Sequence, residues 1–506
     1  MNRRYFLIQS LLGSCALLVP FESFRLIAGT KPKSSYFLHG VASGDAEQER
    51  TVIWTRISED TPNVVEVCWE VAADQSFQNI ICKGICSTSL KRDYTVKIDV
   101  DSLKAGTHYF YRFWYKGEYS PLGKFRTLPA SLEKPLQIAV VSCNNYEDGY
   151  FSSFRHIAEN RDIDYVFHLG DYIYEYGTGE YANSDFIKKS NRINDPLHEI
   201  VSLEDYRKRF AQYRSDKDLQ QAHQEKAFFC IWDDHELANN AFVEGAKNHQ
   251  PDEGDWYSRK QAALRAYFEW MPVRAGSVKE MIRKVSLGTD CNFYFLEERL
   301  DGRTKQFTLS DDEFYDEERK LISDEQMLWL KNNLEDQSVR WQILINQVMF
   351  TGYRLKEIKT NSEIDWWTGY PYQRKELMDI FGTMKNPPLI LTGDHHQTHV
   401  LELYADEKTE NGKILAWEFL TPSITSKNDD RLSLEEVERK SKELYQHNPH
   451  LIYNNTNAHG FFIFKIKQEG IEVDYRFNSN ILQPDGYEVQ GPIFKIDSQN
   501  QFTKNV

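Results

Sequence analysis

Five apolar runs in the later part of this 506-residue chain each end in residues able to bind a metal or carry a proton. Leu136-Gln137-Ile138-Ala139-Val140-Val141 leads into Ser142-Cys143-Asn144-Asn145. Tyr165-Val166-Phe167-His168-Leu169 leads into Gly170-Asp171-Tyr172-Ile173-Tyr174. Ala227 to Trp232 leads into Asp233-Asp234-His235-Glu236, with Asn239 and Asn240 one turn on. Trp341 to Ile345 leads into Asn346-Gln347, and Leu389 to Thr392 into Gly393-Asp394-His395-His396, with His399 just after. Such carboxylates and imidazoles are costly to desolvate unless paired or bound to a metal. Several carboxylates together repel one another, and a multivalent cation resolves that repulsion.

The ligand types narrow the metal. A thiolate from Cys143 and an imidazole from His396 suit a transition ion, whereas carboxylate and amide oxygens suit hard cations such as calcium or magnesium. The mixture argues for more than one metal, and the two oxygens of Asp171 could bridge a pair. Tyr174 is an unusual candidate, because phenolate favours ferric iron. A closed zinc site would need four Cys or His ligands, a set this chain lacks.

Near-continuous apolar runs are expected of strands buried on both faces, and α/β sheets bind ligands outside the carboxyl ends of their strands. Helical segments alternate with these runs, at Leu203 to Tyr213, Tyr257 to Trp270 and Asp324 to Leu334, the last with a capping sequence from Ser323. A layered α/β domain over residues 135–480 follows. Upstream, over 36–128, the texture is short, alternating and rich in β-formers: Val52-Ile53-Trp54-Thr55, Val64 to Val71, Thr95 to Val100 and His108 to Tyr115 read as strands of a β-sandwich without metal ligands. Residues 481–506 read as a polar tail, and Leu432 to Leu444 carries helical spacing.

Residues 1–30 read as a signal peptide. Arg3 and Arg4 precede an apolar stretch of about 15 residues, shorter than the ~20 that span a bilayer. A twin-arginine signal addresses a chain to a route that exports folded proteins, so a partnership with that machinery and a periplasmic or extracellular location are expected. The net charge of −15, with no basic stripe, argues against a nucleic-acid partner and requires local cations if the substrate is anionic. The cysteines show no paired metal-binding spacing; Cys82 and Cys86 could pair with Cys68 or with each other.

At these residues the chain resembles the PhoD-like alkaline phosphatases, a branch of the calcineurin-like metallophosphoesterases. The likeness rests on the twin-arginine signal, on Val41-Ala42-Ser43-Gly44-Asp45 and Ile53-Trp54-Thr55-Arg56, and on Gly170 to Tyr176, Trp232 to Glu236 and Gly393 to His396. It implies an N-terminal all-β sandwich of the fibronectin III or immunoglobulin kind, followed by an α-β-β-α metallophosphoesterase domain. It also implies a centre of ferric iron and calcium. Cys143, Asp171 and Tyr174 match the iron-site motif, with Asp171 bridging to calcium, and Asp394 and His396 match ligands of the same cluster. Asp234 and Asn240 fall in the third ligand segment, where Asp233 and Asn239 compete for the role. His235 matches a histidine that contacts the phosphate or the leaving group. Two departures stand out: His395, where the family has a small or uncharged residue, and Ala458-His459, where a basic residue is expected before Gly460.

The expected reaction is in-line attack of metal-activated water on a small phosphate ester, with Asp171 and His235 as the catalytic pair. The insert Gly179 to Asn194 and the aromatic segment Trp366 to Tyr372 are candidate walls of the substrate pocket. A phospholipase D-like phosphodiesterase and a non-enzymatic binding protein with a degenerate site are the rival readings.

Overall fold

In the computed structural model, which describes residues 36–59, 61–182, 184–352, 363–407 and 411–505, all five apolar runs are strands. The segment read as an export signal lies outside the described residues. The N-terminal part supplies β1 (Val41–Gly44), β2 (Thr51–Arg56), β3 (Val65–Ala72), β4 (Ile80–Thr88), β5 (Thr95–Val100), β6 (His108–Tyr115), β7 (Glu118–Tyr119) and β8 (Gly123–Arg126). The middle supplies β9 (Leu136–Val141), β10 (Tyr165–His168), β11 (Ala227–Cys230), β12 (Arg283–Leu287), β13 (Cys291–Phe295), β14 (Trp341–Asn346) and β15 (Leu389–Thr392). The remainder are β16 (Thr398–Asp406), β17 (Asn411–Leu420), β18 (Leu451–Asn455), β19 (Gly460–Lys467), β20 (Gly470–Asn478), β21 (Glu488–Asp497) and β22 (Phe502–Asn505).

Two large sheets carry the ligand-bearing strands. One runs β22-β21-β20-β19-β9-β10-β11-β1-β2-β5 and the other β12-β13-β14-β15-β17-β16-β18. Within them β9, β10, β11 and β1 are parallel neighbours, as are β13, β14, β15 and β17. Both groups are therefore buried on each face, which explains sequences that are apolar almost throughout rather than alternating. Every residue of β10, β11, β14 and β15 is buried. The two sheets meet through aromatic side chains: Phe167 of β10 packs edge-on against Phe293 and Phe295 of β13, at 5.0 and 5.2 Å between centroids. Each such ring contributes about 1.5–3 kcal/mol through burial alone.

The N-terminal strands divide between sheets. β3, β4, β6, β7 and β8 form a separate antiparallel sheet of five, while β1, β2 and β5 extend the ten-stranded sheet, with β1 pairing parallel to β11. The segment 481–506, polar in composition, contains β21 and β22 at the far edge of that sheet; β21 buries only Pro492, Phe494 and Ile496 along its length. This short apolar patch within a polar stretch is why composition alone reads as a tail.

The helices begin where capping chemistry dictates. Ser202 and Asp205 form a reciprocal capping box at the start of Leu203–Arg214, and Ser433 and Glu436 do the same for Leu434–His447. Ser323 Oγ accepts from the Gln326 amide at 3.0 Å and opens Asp324–Leu334. The cysteine pairing suggested by the sequence does not occur: Cys68, Cys82 and Cys86 are free. Cys82 and Cys86 lie opposite Val71 and Val67 in the β3–β4 register, whereas Cys68 lies opposite Ile85 and so projects from the other face. Four residues apart on one strand, Cys82 and Cys86 are about 13 Å from each other, beyond disulfide reach.

Candidate metal centre

The carboxyl ends of β9, β10, β11 and β15 converge, and the loops leaving them take up left-handed backbone at the very residues singled out by chemistry. Cys143 has φ 60°, Asp171 56°, Asn240 54°, Asp394 57° and His396 65°. Each such conformation costs a non-glycine residue about 1–3 kcal/mol, and strain of this kind collects at functional sites. Gly170, at φ 106°, lets two of these loops touch: a Cβ there would stand 2.4 Å from Cβ of Asp233. Glu236 then ties the same loops together, accepting from the amides of Asp171, Tyr172 and Asp233 at 3.0, 2.8 and 2.9 Å.

Ligand atoms of Cys143, Asp171 and His396 lie within 4.8 Å of one another, and so do those of Asp171, Asp234 and His235 and those of Asp233, Asp234 and Asp394. Shared members Asp171 and Asp234 join the three groups into one chain. At one end, Tyr174 Oη donates to Asp171 Oδ2 at 2.9 Å and stands 3.3 Å from His396 Nε2. His396 Nδ1 donates to the carbonyl of Lys427 at 2.9 Å, which leaves the Nε2 lone pair facing the cluster, the arrangement of a metal-ligating imidazole. The other end is made only of carboxylates.

Electrostatics fit a cation. Burial, then the opposed charge of His235 and the like charges of Asp234, Asp233 and Glu236, leave the Asp171 carboxyl well above its usual range. Asp394 is pushed up by burial and by Asp233, against the pull of Arg299. Burial raises the Cys143 thiol and the Tyr174 phenol as well, and Asp171 adds to both. Oδ2 of Asp233 and Oδ1 of Asp234 are buried without a protein hydrogen-bond partner. Acids held in this state await a multivalent ion, which reverses the penalty.

The structure brings together Cys143, Asp171, Tyr174, Asp234, His235, Asp394 and His396. In the third segment, Asp233 accepts from Arg299 Nε, while Asp234 sits between the Asp171 and Asp394 groups. The amide of Asn240 donates to Asp234 Oδ2 at 2.7 Å, and that of Asn239 to Glu175 Oε1 at 2.7 Å. The fourth strand end contributes scaffold rather than ligands: Gln347 exchanges hydrogen bonds with Glu298 and donates to the carbonyl of Trp232. His459 is buried against Ser423 Oγ at 3.0 Å and Asp430 at 3.4 Å. His395 stands edge-on to Trp366, 5.4 Å between centroids. Tyr181 of the 179–194 insert reaches the centre, 5.4 Å from the Tyr174 ring and 5.9 Å from that of His235. Trp367 and Tyr370, by contrast, are fully buried in the core, donating to Glu298 and to the carbonyl of Thr304.

Two important residues escaped the sequence reading. Arg299 is wholly buried among Asp233, Asp234, Asp365 and Asp394; its Nη1 is 2.7 Å from Asp365 and its Nη2 3.5 and 3.3 Å from Asp234 and Asp394. Its signal was available, since Glu297-Glu298-Arg299 follows the apolar strand β13 as the other polar runs follow theirs. Glu175, 0% exposed, accepts from His235 Nδ1 at 2.7 Å, from Asn248 at 2.8 Å and from the Asn239 amide. Burial works against the charge on His235, but Glu175, Asp171 and Asp234 outweigh it and hold the imidazole well above its ordinary pKa.

Comparison with known proteins agrees with this geometry. Residues 138–475 match the family described as PhoD-like phosphatase, and residues 25–129 match the N-terminal domain of PhoD-like phosphatases. The chain is 34% identical over 490 residues to alkaline phosphatase D of Bacillus subtilis (strain 168), covering 91% of this chain and 81% of that protein. A solved structure of PhoD superposes with a TM-score of 0.82 at 31% identity, covering 94% of this chain and 93% of that one. The protein is thus a metal-dependent hydrolase of phosphate esters. It belongs to the PhoD-like phosphatase family. Among the described residues no helix is long and apolar enough to cross a membrane.

Proposed function

We propose that the protein cleaves small phosphate monoesters and diesters at a mixed centre of ferric iron and calcium, after export by the twin-arginine route. The observation that carries the reading is the division of the cluster into a Cys143, Tyr174 and His396 end and an all-carboxylate end, joined through Asp171. Cys143, Asp171, Tyr174 and His396 would hold the iron, and Asp171, Asp234, Asn240 and Asp394 the calcium. Bound there, the metals supply Lewis acidity toward the phosphoryl oxygens and acidify a water. His235 keeps its Nδ1–H hydrogen-bonded to Glu175 and offers Nε2–H to the departing oxygen, so that its proton turns the leaving alkoxide into the alcohol as the ester bond breaks. Arg299 neutralises excess carboxylate charge and holds Asp233 in place. Tyr181 and Trp366 wall the approach, on the sides of His235 and His395 respectively.

The relative's name, alkaline phosphatase D, supports this activity over a phospholipase D-like esterase or a binding protein. For the architecture we favour an N-terminal sandwich over 36–128, fibronectin III-like in kind, with a layered α-β-β-α catalytic domain over 135–480 and a short C-terminal segment over 481–506. A periplasmic or extracellular location follows from the signal over residues 1–30.

Elemental analysis of the protein exported by its own signal, with turnover of a phosphomonoester and a phosphodiester before and after chelation, tests the proposal. Iron and calcium in fixed ratio, with both activities lost on chelation, are expected. Preparations that are fully active without iron would overturn the mixed centre.

A further inference from the structure

Lys427 lies in the loop that follows β17, and its main chain already serves the metal centre, since its carbonyl accepts from His396 Nδ1 at 2.9 Å. Its side chain reaches the 179–194 insert. Nζ stands 3.8 Å from the centroid of the Tyr181 ring and donates to the Tyr181 carbonyl at 3.4 Å. A cation–π contact of this kind is favourable, and it fixes the direction of an otherwise flexible, half-buried side chain.

The other cations around the centre have their charge matched or their donors filled. Arg299 meets four aspartates, and Arg209 is wrapped by the carbonyls of Tyr174, Tyr176, Asp195 and Pro196. Arg431 is 2.6 Å from Asp148, whose other oxygen accepts from Asn145 Nδ2 at 3.0 Å. Lys427 pairs with no carboxylate among the described residues. Asp148 and Arg431, the charges that act on it, oppose one another.

Tyr181 brings this ammonium to the side of the centre where the ester bond breaks. Its ring lies 5.9 Å from that of His235, edge to face, and 5.4 Å from that of Tyr174. Tyr176 stacks on the same ring, 5.0 Å between centroids, and holds it in place. His235 and the Lys427 ammonium therefore pack against one side chain. A leaving group seated against His235 and Tyr181 has a cation beside it, and an anionic one can pair with that cation.

We propose that Lys427 sets specificity for the leaving group, favouring phosphate esters whose alcohol carries a further negative charge, a carboxylate or a second phosphate. The inference rests on the reading of His235 as the residue that faces the departing oxygen. The chain's net charge of −15 repels such substrates at long range, so recognition falls to a local cation. The ion pair forms alike in the bound ester and in the transition state, and so acts on KM rather than on kcat.

The test uses the intact, metal-loaded enzyme with phenyl phosphate and para-carboxyphenyl phosphate. The readout is the ratio of the two kcat/KM values, in which the intrinsic difference between the leaving groups cancels from variant to variant. Lys427→Met should lower the preference for the carboxylated ester about fivefold through its KM, the upper end for a partly exposed ion pair. Lys427→Arg should retain the preference, and Lys427→Glu should lower it further. All three keep the main-chain carbonyl that holds His396. A ratio unchanged in Lys427→Met, with equal losses on both esters or none, would overturn the proposal. Calorimetric binding of phenylphosphonate and para-carboxyphenylphosphonate, which are not cleaved, gives the same ratio without turnover. Discrimination by Lys427 between the phosphonates, in a protein that cleaves neither ester, would overturn the catalytic reading and leave this one standing.

Discussion

His235 Nδ1 donates to Oε2 of Glu175 at 2.7 Å, and Glu175 has no solvent exposure. The ring also stacks on Tyr174, 4.2 Å between centroids, so both its tilt and its tautomer are set from behind while Nε2 faces Asp234 at 3.8 Å. Burial opposes the charge on Glu175, yet the His235 charge and hydrogen bonds from His235, Asn248 and the Asn239 amide keep its carboxyl below the usual range. Within the pair, the imidazolium form of His235 and the carboxylate form of Glu175 favour one another. Glu175→Gln retains the shape and removes the charge, and kcat should fall about 10²-fold, the low end of what a positioned proton donor contributes. Metal content should stay unchanged; a parallel loss of metal would make Glu175 a structural residue instead.

Asp171 is shared by two of the ligand groups. Asp171→Asn removes the charge that both ends of the cluster need, so metal content and phosphate release should disappear together. Elemental analysis beside a turnover assay checks this, and full activity in the variant would remove Asp171 from the centre.

Arg299 neutralises part of a four-aspartate cluster from a position with no exposure. Breaking a buried ionic network from one side typically costs about 3–5 kcal/mol. Arg299→Met should therefore lower stability by that order in urea unfolding of the metal-free protein, and calcium should restore part of the loss. Arg299→Lys keeps the charge without the planar fork and should fall between the two.

His39 is neutral in the folded protein: burial first, then Arg56 and Arg214, lower its pKa to about 3. The folded state thus binds fewer protons than the unfolded chain between pH 6.5 and 3. The contribution is present above pH 6.5 and lost as the pH falls through that window, at up to ~1.4 kcal/mol per pH unit. His39→Phe should flatten the acid limb of the stability profile relative to the parent. Identical slopes in the two proteins would show that His39 does not stay neutral.

His168 should behave in the same direction, with burial lowering its pKa to about 3. Here protonation has a second consequence, because Nδ1 accepts from the Gly170 amide at 3.3 Å while Nε2 meets Asn144 Oδ1 at 2.6 Å. Acidification should loosen the loop that presents Asp171, and amide exchange at Gly170 should rise before global unfolding.

Much of the site was legible in the sequence, for a reason tied to particular residues. Parallel strands buried on both faces must be apolar for their whole length, so a switch to Cys143, Asp171, Asp233 or Asp394 marks a strand end, where such sheets bind ligands. The start of Asp324–Leu334 was equally plain, because capping is a local matter of Ser323 and Gln326, three places on.

What spacing leaves open is everything decided by contacts distant in the chain. Asp233 and Asp234 are indistinguishable as a dipeptide; they differ because Arg299, 66 residues from Asp233, takes hold of one Asp233 oxygen. Cys68 and Cys82 look able to pair until strand register turns them to opposite faces. The polar residues after 481 become sheet edges only because β20 is there to receive them. The strand ends and their ligand types were determined by the sequence itself, since burial constrains composition residue by residue. Which ligands meet, what holds them and which buried charge lacks a partner were decided by tertiary structure, because electrostatics and register depend on neighbours that no local pattern names.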